Sequence, residues 1–217
     1  HQRNYYSLER NFAAINLFTH YSLKFKNMKN LFVGLLGAFA LFSFVATSAG
    51  LWSLDGAHSR LGFTITHNGI TQVHGNFTKF NVEVTTPNED FNGATISMNA
   101  EAGSVNTGIE ARDNHLRTAD CFDAEKFPAI TFKSTSIKET KTKGTYLIEG
   151  DLTMHGTTKK VVFNGVHTGN GKNYKGTEVA GLQITGAVKR SEFGMGEVSP
   201  GLADEVKLQA DLEIAKN

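Results

Sequence analysis

The stretch TYLIEGDLTMHGTTKKVVFNGVH, Thr145 to His167, decides the fold class. Apolar and polar residues alternate on both sides of a short break. Tyr146, Ile148, Leu152 and Met154 share one parity before it, and Val161 and Phe163 share one after it. A period of two is the signature of a half-buried β-strand, and the intervening HGTT at 155–158 reads as a turn. Two such runs joined by so short a link predict an antiparallel hairpin.

The same pattern extends in both directions. RLGFTITH places Leu61, Phe63 and Ile65 on one face. In VHGNFTKFNVEV, Phe80, Val82 and Val84 alternate, but Val73 and Phe77 have the opposite parity, which predicts a bulge near Thr78–Lys79. ATISMNAEA, AITFKSTSI, VAGLQITGAV and EVKLQADLEI each alternate as well, giving eight strand candidates in all. Ala94, Ile96, Met98 and Ala100; Ile130 and Phe132; Ala180, Leu182, Ile184 and Val188; and Val206, Leu208, Ala210, Leu212 and Ile214 form their apolar faces. One polar face per strand argues against a parallel sheet covered on both sides. Glycines at 62, 75, 150, 181 and 186 suit the bends of a closed barrel, and those at 75, 150, 181 and 186 leave space beside large neighbours. The expected fold is all-β: an antiparallel eight-stranded barrel.

The N-terminal part reads differently. From the first methionine, Met28, the sequence has a basic Lys29, an uncharged run from Leu31 to Ala46 and the small residues Thr47 to Ala49. That three-part layout predicts a secretory signal peptide over 28–49, cleaved near Ala49. No Cys follows the run to carry a lipid. Residues 1–27 are expected to be an upstream extension outside the fold, and 50–217 a single domain. Five of the 22 Lys/Arg and one of the 21 acidic residues precede Gly50, leaving 17 and 20, a net charge of −3. A mildly acidic domain of mixed sign has no footprint for nucleic acid. The expected product is exported, periplasmic or secreted, with no stable membrane insertion after cleavage. Its oligomeric state, homodimer included, stays open. The single Cys121 excludes an internal disulfide.

The long connection 106–127 contains EARDNHLRTADCFD, Glu110 to Asp123, with Asp113, His115, Arg117, Asp120 and Cys121 together. Helix propensity runs from Ile109 to Ala124. On a helix, Asp113 and Arg117 are four apart and can pair, whereas His115 lies off the faces of Asp113 and Cys121. A nucleophile, base and orienting group must lie within hydrogen-bond reach, which this spacing denies. The segment is expected to cap the barrel, with Leu116, Phe122 and Phe127 turned inward and Cys121 a small buried hydrophobe. Six histidines lie in 50–217, and none has a helical i,i+4 partner; His67 and His74 flank a turn and are expected at the surface or rim. No metal site is expected, since zinc needs three or four converging ligands. No GxSxG elbow or dinucleotide loop occurs, and no cofactor is expected.

The stretch SVNTGIEARDNHLRTADCFDAEKFPAITFKSTSI, Ser104 to Ile137, resembles the signature region of the YceI-like family of exported lipid-binding proteins. WSLDGAHSRLGFTITHNGITQVHGNFTKFNVEV, IEGDLTMHGTTKKVVF, and KRSEFGMG followed by ADEVKLQADLEI are similar to its opening, central hairpin and end. Cys121 stands where an aromatic or aliphatic residue is expected. The resemblance spans about Leu51 to Ile214. It implies a lipocalin-like barrel holding a long apolar chain: a polyisoprenoid, an isoprenoid quinone or a fatty-acid-like lipid. Expected pocket walls are Phe63, Ile65, Phe80, Val82, Ile96, Met98, Phe132, Leu152, Phe163, Ile184 and Leu208. Arg112, His115 and Arg117 are expected to border the mouth. Two rival readings are an enzyme acting on such a lipid through His115, Asp113 or Asp120, and a stress or partner protein using the barrel as scaffold.

Overall fold

The computed structural model describes residues 50–88 and 90–217; the expected signal peptide and upstream extension lie outside them. Eleven strand segments and one α-helix follow in order: β1 (Gly50–Leu54), β2 (Arg60–His67), β3 (Thr71–Phe77), β4 (Phe80–Thr86), β5 (Thr95–Glu101), β6 (Val105–Asn106), α1 (Glu110–Arg117), β7 (Ala129–Glu139), β8 (Thr145–Met154), β9 (Thr157–Lys172), β10 (Glu178–Lys189) and β11 (Leu202–Lys216).

Eight of these close a barrel in the order β1-β4-β5-β7-β8-β9-β10-β11, with β11 returning to β1. Closure is made by Trp52↔Lys216, Ser53↔Ala215 and Leu54↔Ile214. Every pairing is antiparallel. The β2–β3 hairpin extends the wall, with β2 on the first part of β11 and β3 on the short β6. The all-β barrel expected from the alternation is therefore the fold. The first of the eight strand candidates is β2; the wall strand β1 is not among them.

The hairpin of Thr145 to His167 is β8–β9, paired from Thr145↔Val166 to Met154↔Thr157. Only His155 and Gly156 link it, both left-handed at φ 51° and 72°. Two positive-φ residues make the mirror-image turn that matches the twist of a hairpin. The parity change also appears: the strand breaks between Phe77 and Phe80, where Thr78 N–H donates to Ser104 O and Lys79 N–H to Ser104 Oγ. Phe77 points inward before the break, and Val82 and Val84 after it.

The connection differs from its expected form. The helix stops at Arg117 instead of running to Ala124, because Thr118 turns extended (φ −72°, ψ 170°). Its N–H and hydroxyl both donate to His115 O. A Ser or Thr hydroxyl that bonds nearby carbonyls competes with the helical ladder. Residues 118–127 continue as turns, and Phe122 N–H donates back to Leu116 O. Phe122 is buried and meets Phe77 edge-on at 5.5 Å, so this segment closes one end of the barrel. The other end is closed by Trp52, Phe91 and Tyr146, packed around Phe91 at 6.1 and 6.4 Å.

Candidate functional site

The inward residues of the wall are apolar on every strand, and they leave a cavity of about 80 Å³ that is partly open to the outside. Val82 comes from β4, Ile96 and Met98 from β5, Phe132 from β7 and Leu152 from β8. Phe163 comes from β9, Ile184, Thr185 and Gly186 from β10, and Leu208, Gln209, Ala210 and Leu212 from β11; Leu61 of β2 completes the wall. No charged side chain lines it. A second cavity of about 10 Å³ lies toward Phe91, Ile137, Tyr146, Ile148 and Leu182. Ile96 and Ile184 line both.

The space expected beside the small residues is used by aromatic rings at three of the four positions and by Thr168 at Gly181. A side-chain carbon on Gly75 would run into the ring of Phe63, one on Gly150 into Phe132, and one on Gly186 into Phe163. Phe132 and Phe163 pack together at 5.4 Å. Glycine opposite an aromatic residue lets the ring lie flat over the backbone. The bore is thus largely filled: its remaining space is a few times what one water needs and well below a typical ligand pocket of about 300 Å³.

Of the residues expected as pocket walls, Val82, Ile96, Met98, Phe132, Leu152, Phe163, Ile184 and Leu208 line the cavity, and Phe63, Ile65 and Phe80 do not. Phe63 is held over Gly75 and against Phe77 at 5.9 Å, toward the capped end. Ile65 lies farther along β2, half-buried, and Phe80 sits at the strand break. Leu61, Thr185, Gly186, Gln209, Ala210 and Leu212 join the walls without having been expected there. Alternation marks Leu61, Ala210 and Leu212 as inward, but depth in the bore is not a local signal.

The polar residues of the connection do not reach the cavity. Asp113 is buried and accepts from Thr107 N–H at 2.8 Å and Thr107 Oγ1 at 2.6 Å. Arg112 donates to Thr107 Oγ1 and Thr107 O. Arg117 donates to Gly103 O, Val105 O and Asn114 Oδ1, so the expected Asp113–Arg117 pair does not form. Nearer backbone groups engage both partners. His115 is exposed and 3.9 Å from an exposed Asp120. Cys121 is half-buried rather than buried, and loss of hydration, with the nearby Asp120 carboxylate, raises its thiol pKa.

Elsewhere, His74 Nδ1 shares a hydrogen bond with Thr64 Oγ1 at 2.9 Å across β2–β3, one pairing that sets it apart from His67. His155 Nδ1 meets Phe193 O at 3.0 Å, and its ring packs on Phe127. Asp55, His58 and Glu213 place ligand-capable atoms within 4.8 Å of one another, a grouping hidden by the sequence separation of Glu213. His58 Nδ1 lies 3.0 Å from Asp55 Oδ2, and its side chain is 66% exposed, so the group is a surface ion pair with a second carboxylate beside it. Arg190 is buried and donates to the carbonyls of Ala203, Met195 and Glu197, tying down the loop before β11.

A barrel of this topology has known counterparts. The YceI-like domain matches residues 52–214. A UPF0312 protein of Staphylococcus aureus (strain USA300) is 34% identical over 171 residues, covering 76% of this chain and 96% of the relative. Among solved structures, the Campylobacter jejuni YCEI protein aligns with a TM-score of 0.62 at 30% identity, covering 76% of this chain and 96% of that one. Burkholderia cenocepacia BcnA aligns with a TM-score of 0.67 at 23% identity over 74% of this chain and 98% of its own. A polyisoprenoid binding domain from Saccharophagus degradans, implicated in plant cell wall breakdown, aligns with a TM-score of 0.56 at 15% identity over 76% and 98%. The last two share the fold.

Proposed function

The chain belongs to the YceI-like family, and from that premise we propose that it is an exported, non-enzymatic carrier that holds a long apolar chain, isoprenoid or acyl, in its bore. The observation that carries this reading is a closed barrel whose internal cavity has aliphatic and aromatic walls with no charged side chain. Such a wall rewards burial of methylenes, about 0.8 kcal/mol each, so ten supply roughly 8 kcal/mol, enough for micromolar binding before ordering costs. The present cavity is too small for a long chain. Loading requires Phe132, Phe163 and the flexible Met98 to move aside; Met adapts readily to such repacking. The Saccharophagus degradans domain of the same fold is described as binding polyisoprenoids, which supports that ligand class here. Export rests on the basic, apolar and small-residue layout of 28–49.

The enzyme reading is weaker. Asp113 is committed to Thr107, and His115 and Asp120 face solvent rather than the cavity.

The test is to purify the protein from cells without detergent, extract it with organic solvent and weigh the extract by mass spectrometry. A stoichiometric long-chain isoprenoid or acyl species is expected. An empty protein that also takes up no added polyprenyl or acyl chain overturns the reading.

A further inference from the structure

Ile96 and Ile184 are the only residues that line both internal cavities among the described residues. Their strands, β5 and β10, are four places apart in either direction around the eight-stranded wall. The two side chains therefore reach into the bore from opposite walls. Above them, Met98 on β5 and Gly186 on β10 line the larger cavity. Below them on β10, Leu182 lines the smaller one, whose floor is Phe91 and Tyr146. Both cavities are apolar, so a carbon chain meets no polar barrier at this level, only the bulk of two isoleucines.

We infer that Ile96 and Ile184 form a septum across the bore, and that this pair sets the longest apolar chain the barrel accepts. The inference rests on the carrier reading and adds a ruler to it. A chain entering the larger cavity is stopped at the septum with its methyl end against the two side chains. Carbons beyond that length stay outside and add nothing to affinity. Each carbon inside the limit adds about fourfold, the equivalent of one buried methylene. Removing the septum joins the cavities down to Phe91. Truncating Ile184 empties the room of its three outer side-chain carbons and joins it to the small cavity beyond, so the variant admits about three more carbons.

The probes are straight-chain saturated fatty acids from eight to twenty carbons, titrated calorimetrically into the delipidated protein. Wild-type affinity is expected to rise about fourfold per carbon and then level off. In Ile184→Ala the plateau is expected about three carbons later. Leu208→Ala is the control: Leu208 lines only the larger cavity and pairs with Gly186 above the septum, so it adds space without moving the plateau. If Ile184→Ala does not fold, the milder pair Ile96→Val and Ile184→Val is measured instead, with a smaller shift in the same direction. A wild type that levels off, with the same plateau in the septum variants or an equal shift in Leu208→Ala, overturns the septum and leaves the carrier reading intact. A wild type that binds none of the acids and no polyprenyl chain overturns both.

Discussion

The 106–127 connection and the bore divide the chemistry of this molecule between them. The connection holds Asp113, His115, Arg117, Asp120 and Cys121, the residue types from which active sites are built. In the structure its buried or half-buried charged groups face the chain's own backbone: Asp113 takes the Thr107 N–H, and Arg117 caps the carbonyls of Gly103 and Val105. The bore is lined mainly by aliphatic and aromatic groups of the most ordinary kind and by no charged side chain, yet it holds the space where a guest can sit. Backbone polar groups in a long connection must be paired when they leave water. Here charged side chains supply the partners, so reactive residue types mark a structural device and anonymous ones mark the site.

The largest effect that sharpens this contrast is expected from Phe132→Ala. Phe132 is buried, packs on Phe163 and lies over Gly150. Truncation leaves a cavity and is expected to cost about 3–5 kcal/mol of unfolding free energy. The lost packing enlarges the space a guest would fill, so a saturating straight-chain acid is expected to restore part of it. Thermal unfolding with and without the acid reads both quantities. A loss that no chain offsets would make the bore a plain core. Asp113→Ala comes next, at about 2 kcal/mol, because the half-buried Thr107 N–H loses its acceptor. Chain affinity of the folded variant is expected to be unchanged. Weaker binding there would place the connection in the site and break the contrast.

How far the sequence can be read follows the same line. Strand alternation is local, so the inward set and even the parity switch at Thr78–Lys79 are legible in the order of residues alone. Depth along the bore is not local. Leu61 and Phe63 share a parity, but only the register Leu61↔Ala210 and the pairing of Phe63 with Gly75 decide which one meets the cavity. Spacing marks the glycines as empty space because it does not reveal which aromatic ring lies across them. Helical spacing permits the Asp113–Arg117 pair, and nearer backbone partners displace it. The helix end at Thr118 has a usable signal, a β-branched hydroxyl residue, that propensity over a longer window averages away.

The smallest effect concerns the one place where a histidine and carboxylates do meet. The Asp55 carboxylate holds the His58 pKa above its ordinary 6.5, chiefly through their hydrogen bond, and Glu213 adds to the pull. The same bond lowers Asp55 below its ordinary 3.8. The signs set a window. The raised histidine contributes stability fully below its unfolded pKa, and that contribution is lost as pH rises through the folded value. The depressed aspartate contributes above its unfolded pKa and loses it as pH falls through the folded one. The pair therefore matters only between the two folded values, and both groups are exposed enough that solvent screens most of it. A proton NMR titration of His58 is expected to show the raised pKa, a clear fall toward 6.5 in Asp55→Asn and a smaller fall in Glu213→Gln. Chain binding is expected not to follow this titration, since the group lies outside the bore wall. An affinity that changes with the His58 midpoint would tie the outer surface to the bore and undo the separation between polar structure and apolar site.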